Sequence, residues 1–153
     1  MEIKLNHWEY KACVDLANAR MAISNDKRMN HASTYNRTYA ERMVEEIVGA
    51  AGEMAVCKAK GWYFSPSVNT FHNIPDVGDA VEVRATARDN GSLIVRDNDA
   101  DNRWFVLVTG EPPNMTIRGR ILGRAAKRDE FLRDPGGHRQ AWFVPQSRLY
   151  PVS

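Results

Sequence analysis

Two glycines inside one helical pattern, in the segment GAAGEMAVCKAKG from Gly49 to Gly61, constrain this chain more than any other feature. Met43, Ile47, Ala50 and Met54 recur at helical spacing and predict a helix from about Tyr35 to Lys60, stopped by Gly61. An interior glycine costs roughly 1 kcal/mol relative to alanine. Gly49 and Gly52 therefore call for close approach by another element. At about 100° per residue, Gly49, Gly52, Val56 and Ala59 form a strip of small residues, with Glu46 and Glu53 along one edge. Glu53 is expected at the border of a tight helix-to-sheet contact.

Beyond Gly61 the pattern changes to period two and to short apolar runs. Trp62 to Phe64 and Asn69 to Asp76 read as extended, with a turn over Val77 to Asp79 at Gly78. Ala80 to Thr86 alternates, placing Glu82, Arg84 and Thr86 on one face and Val81, Val83 and Ala85 on the other. Leu93 to Arg96, Trp104 to Thr109 and Met115 to Leu122 are further strands, 124–133 suits a short helix, and Ala141 to Val144 a last strand or extended tail. Residues 6–22 read as a first helix, followed by a polar passage, SNDKRMNHASTYN, crossing the surface. The expected fold is α/β: one domain over 1–153, with a helical part (1–60) and a sheet-rich part (61–153) forming a mixed central sheet covered by helices. A composition of 43% hydrophobic and 26% charged residues is that of one globular unit with a real core.

Several function classes are disfavoured at once. There is no run of about 18 apolar residues and no apolar stretch near the start, so no membrane partner is expected and the cytoplasm is the expected compartment. Cys13 and Cys57 lack CxxC spacing and the four histidines are scattered, so neither a zinc site nor a disulfide framework is expected. The acidic string DNDADN, with Asp97, Asp99 and Asp101, lacks the glycine and the final glutamate of a calcium loop and reads as a solvated turn. The charge is lopsided: residues 1–83 carry a net −2 and 84–153 a net +4, with 11 of the 15 arginines from Arg84 onward. Arginine forks onto phosphate. Arg118 and Arg120, on one strand face, and Arg124 and Arg128, on one helix face, make the candidate nucleic-acid-binding patch; solvated charge is the alternative.

Three carboxylates, Glu53, Asp76 and Glu82, stand where they could converge near Arg84, and converging carboxylates call for a divalent cation. Each also has a plainer reading: Glu53 as an exposed helix residue, Asp76 as a turn residue with Asp79 its rival for the acid of the hairpin, and Glu82 with Arg84 as a surface ion pair. Pro75-Asp76 and Glu82-Val83-Arg84, preceded by Gly52-Glu53 on a helix and followed by the strand WFVLVTG, resemble the PD-(D/E)XK (restriction-endonuclease-like) nuclease superfamily, especially its small phage- or prophage-encoded members. Four or five residues carry the resemblance, in an order of elements that spans about residues 41 to 109.

The resemblance implies a restriction-endonuclease-like fold and Mg²⁺ (or Mn²⁺) held by Glu53, Asp76, Glu82 and the Val83 carbonyl, for hydrolysis of nucleic-acid phosphodiesters. DNA is the expected polymer. A homodimer or a host-protein partner stays open. The departure is Arg84, which stands where the family has lysine; a guanidinium cannot act as a general base, although it can stabilise developing charge. Two alternatives follow: a catalytically degenerate nucleic-acid-binding module, and a phage–host interaction protein on the same fold.

Overall fold

The computed structural model describes residues 1–28, 37–66, 68, 77–78, 80–137 and 139–152. Their order is β1 (Glu2–Lys4), α1 (His7–Arg28), α2 (Tyr39–Lys60), β2 (Val81–Thr86), β3 (Leu93–Val95), β4 (Trp104–Glu111), β5 (Asn114–Leu122), α3 (Gly123–Ala126), β6 (Leu132–Arg133) and β7 (Ala141–Val144).

Local chemistry sets the ends of α2. Thr38 accepts from the Glu41 amide at 3.2 Å while the Glu41 carboxylate accepts from the Thr38 amide at 2.9 Å, so two otherwise orphaned donors are satisfied reciprocally. Gly61 closes the other end in the left-handed region (φ 65°), where it carries no Cβ penalty. Asn6 and Glu9 make the same reciprocal pair at the start of α1, at 2.9 and 2.7 Å. That helix runs on to Arg28, so the first residues of the expected polar passage are helical; 29–36 lie outside the described residues.

Four strands form a mixed sheet in the order β1-β5-β4-β2, in which β2 runs parallel to β4 and the other pairs are antiparallel. A second, antiparallel sheet has the order β3-β7-β6. The chain is a single α/β domain with a mixed sheet and helices. Among the described residues, no helix is long and apolar enough to cross a membrane.

The four-stranded sheet divides two cores. One face, with Val83, Val106, Val108, Met115 and Ile117, packs against α2 and α1. The other, with Phe105, Leu107 and Ile121, packs against Leu93, Val95 and Val144 of the second sheet and Phe131. The alternation expected for β2 holds: Val83 and Ala85 lie under α2 and Glu82 and Arg84 on the far side, since Glu82 pairs with Phe105 and Arg84 with Leu107. Gly52 is the docking point. A Cβ there would lie 2.6 Å from the Ala85 Cβ and 3.4 Å from a Val83 methyl. Gly49, the other half of the expected strip, has nothing within 4 Å of its missing Cβ.

Elsewhere the expectations need amendment. The three-residue β1 went unforeseen, and the helix expected over 124–133 is only the single turn α3, followed by a 3-10 turn over Asp129–Phe131 and β6. Trp62 to Phe64 form no strand, and 69–76 lie outside the described residues.

The two glycines should respond oppositely to alanine. Gly52→Ala forces apart α2 and β2 and should cost about 1–3 kcal/mol, whereas Gly49→Ala removes backbone freedom in an open position and should add about 0.5–1 kcal/mol. Urea unfolding midpoints check both; equal shifts at the two positions would contradict Gly52 as the docking point.

Candidate functional site

Glu53 follows the docking glycine on α2 and is buried, but its partner is α1. Arg20 donates to both its oxygens, Nη1 to Oε1 and Nη2 to Oε2, each at 3.0 Å. This forked pair lies between the helices. The Glu53 charge is felt by both thiols: burial first, and then Glu53, pushes Cys13 up to about 12 and Cys57 up to about 11. Both cysteines are buried and free. At neutral pH they are unreactive thiols.

Glu82 occupies the opposite face of the sheet. Arg103 Nη1 donates to its Oε1, and Arg84 Nη1 stands 3.8 Å from its Oε2. The expected convergence of Glu53 with Glu82 is thus not formed, for a simple reason. Strand alternation sends Val83 toward α2 and its neighbour Glu82 away, so a carboxylate on the docked helix and one on β2 have the sheet between them. Val83 is a core residue beneath α2, with its main chain in the β2–β4 ladder. Asp76, the third expected ligand, and its rival Asp79 lie outside the described residues. Among the described residues, no group of three or more His, Cys, Asp or Glu could hold a metal ion. Glu53 and Glu82 do not fit one shared Mg²⁺ or Mn²⁺, whose oxygen ligands must surround a single point.

Arg84 has a partner that the sequence reading set aside. Its Nη2 donates to both oxygens of Asp99, at 2.8 and 2.9 Å, and its Nε to the Ile94 carbonyl at 3.2 Å; its guanidinium lies 5.2 Å from the centre of the Phe105 ring. Asp99 is buried, accepts also from the Arg96 amide at 2.8 Å, and anchors the loop that was expected to be solvated. The flanking residues fit that expectation better: Asp97 is exposed, and Asp101 pairs with Lys127 at 2.7 Å from a mostly exposed position.

The four patch arginines are dispersed. A register shift opposite Leu107 and Val108 puts an extra residue into β5. Arg118 consequently turns to Thr109, Nε donating to Oγ1 at 2.6 Å, and pairs with Asp89. Arg120 stands opposite Val106 on the α2 side and stacks 4.6 Å from the centre of the Trp104 ring. Arg124 is exposed on α3; Arg128, beyond the end of that helix, is exposed with Glu130 at 3.9 Å. They share neither a strand face nor a helix face.

A different set of arginines does meet. Between the first half of α2, the end of β2 and the edge of β3 lie two adjoining hollows of about 520 and 590 Å³, both lined by Arg37, Glu45, Thr86, Arg88, Ile94 and Arg96. Arg84, Gly91 and Phe143 complete the first, Val44 and Val48 the second. Arg37 pairs with Glu45, and Arg88 is exposed. Arg84 joins this cleft to the Asp99 and Glu82 pairs behind it. No protein-family model, curated protein or solved structure matches this chain. The one local signal was the surplus of arginine after residue 84, which names the residue type but not the wall where it gathers.

Two outcomes follow from the buried pairs. Glu53→Gln should cost about 3–5 kcal/mol, because it breaks the forked, largely buried ion pair with Arg20, and thermal unfolding measures it. At pH 8 Cys13 and Cys57 should resist a thiol reagent in the folded protein and react on addition of denaturant; fast labelling of either would contradict their burial. Separately, the melting temperature should not move with millimolar Mg²⁺. A metal-dependent rise that Glu82→Ala abolishes would reinstate a shared metal.

Proposed function

We propose that this chain is a nucleic-acid-binding module that engages phosphates in the arginine-lined cleft between α2, β2 and β3. The carrying observation is that Arg37, Arg84, Arg88 and Arg96 meet in one hollow while the buried carboxylates Glu53, Glu82 and Asp99 serve as counter-ions to arginines. Arginine suits this task because its planar fork matches a phosphate and its charge persists at every physiological pH.

Of the functions implied by the resemblance to PD-(D/E)XK proteins, this is the non-catalytic one. It keeps the helix glutamate and the Glu-Val-Arg strand as structure. Glu53 is held by Arg20, and Glu82, on the other face of the sheet, by Arg103 with Arg84 nearby. A restriction-endonuclease-like ancestry is part of the proposal and rests on that resemblance alone.

Fluorescence anisotropy with labelled single- and double-stranded DNA and RNA oligonucleotides tests the reading. Replacing Arg88 and Arg96 together by alanine should weaken binding at least about tenfold and lower the slope of log K against log salt by roughly two. Replacing Arg124 and Arg128 should leave both quantities nearly unchanged. Absence of binding at low salt, or indifference to the Arg88 and Arg96 pair, would sink the proposal.

A further inference from the structure

We infer that Asp99 is a positioning residue for the cleft, holding Arg84 as a fixed donor to one phosphate of the bound strand. The inference rests on the cleft reading and identifies how one of its walls is built. Arg84 has five N–H groups. Asp99 takes one on Nη2, shared between its two oxygens at 2.8 and 2.9 Å, and the Ile94 carbonyl takes the one on Nε at 3.2 Å. The nearest carboxylate oxygen to Nη1 is that of Glu82, at 3.8 Å, beyond hydrogen-bond reach. That leaves the Nη1 hydrogens and the second one on Nη2 to give, at a residue that lines the hollow.

Glu82 is itself held by Arg103 Nη1, and the Phe105 ring supports the guanidinium from one side. Asp99 in turn is fixed by the Arg96 amide, and Lys127 donates to its carbonyl at 2.6 Å, tying the loop to the residue that follows α3. Arg84 is therefore placed before any ligand arrives. A donor already held in one rotamer loses little freedom on binding, and that saving is affinity.

This assignment differs in sign from the electrostatic alternative. If Asp99 only cancelled the Arg84 charge, removing it would make the cleft more positive and binding tighter. If it positions Arg84, removing it must weaken binding although the protein gains a positive charge.

The test is anisotropy with one labelled single-stranded DNA oligonucleotide on three full-length variants, with circular dichroism confirming each fold. Asp99→Asn is expected to weaken binding about fivefold to tenfold. Arg84→Lys, which keeps the charge but not the planar group held at once by Asp99 and the Ile94 carbonyl, should do the same, and neither should change the salt slope. Arg88→Ala should lower the slope by roughly one. Wild-type or tighter binding by Asp99→Asn would overturn the inference, as would an Arg84→Lys protein that binds as well as wild type; the latter decides alone if Asp99→Asn does not fold. Loss of the Arg88 effect would instead overturn the cleft reading and, with it, this one.

Discussion

The contact of Gly52 with β2 is the constraint on which the rest depends. It brings the axis of α2 against Val83, Ala85 and Val108 at a distance that no side chain at position 52 allows. Once the helix is seated there, three things follow. Ala50 to Cys57 become buried on every side, Glu53 has α1 and Arg20 as its surroundings, and residues Glu82 and Arg84 are committed to the other face of the sheet. The second core, the Asp99 loop and the cleft are arranged around what that face presents.

Charges in this protein are managed by arginine rather than by solvent. Glu53, Glu82 and Asp99 are buried, and each meets a guanidinium. Such pairs add little net stability compared with apolar residues of similar volume, because desolvation offsets most of the attraction, but breaking one is costly. They therefore act as selectors of geometry: Arg84, held by Asp99 and the Ile94 carbonyl together, sets the position of the loop between β3 and β4.

What was legible in the sequence was what short-range periodicity and steric punctuation determine. The alternation in β2 could be read residue by residue, the end of α2 at Gly61 was visible as a glycine stop, and Gly52 announced a close approach. The hidden features are non-local. Asp99 sits in a polar string that any local reading assigns to solvent; only the fold shows that Arg84, fifteen residues earlier, reaches it. Arg118 and Arg120 are parted by an extra residue in β5 that leaves no mark on composition. The helix expected over 124–133 fails because so short a segment cannot sustain itself on propensity, and Lys127 is drawn instead onto the carbonyls of Asp97 and Asp99.

The enclosure of α2 has a consequence for how the molecule opens. A segment whose backbone is wrapped by α1 on one side and the mixed sheet on the other cannot expose its amides by fraying, since its capped ends at Thr38 and Gly61 lie more than two turns from the enclosed stretch at one end and one turn from it at the other. Exchange of the Ala50–Cys57 amides with deuterated solvent then requires the whole domain to come apart, so their rates report global stability, whereas the exposed residues 87–90 exchange through local fluctuations. The arginine cleft is bordered by the first half of α2, which precedes the enclosed stretch, and by the exposed residues 87–90, so a bound strand that bridged them would slow exchange in both while leaving Ala50–Cys57 at their ceiling.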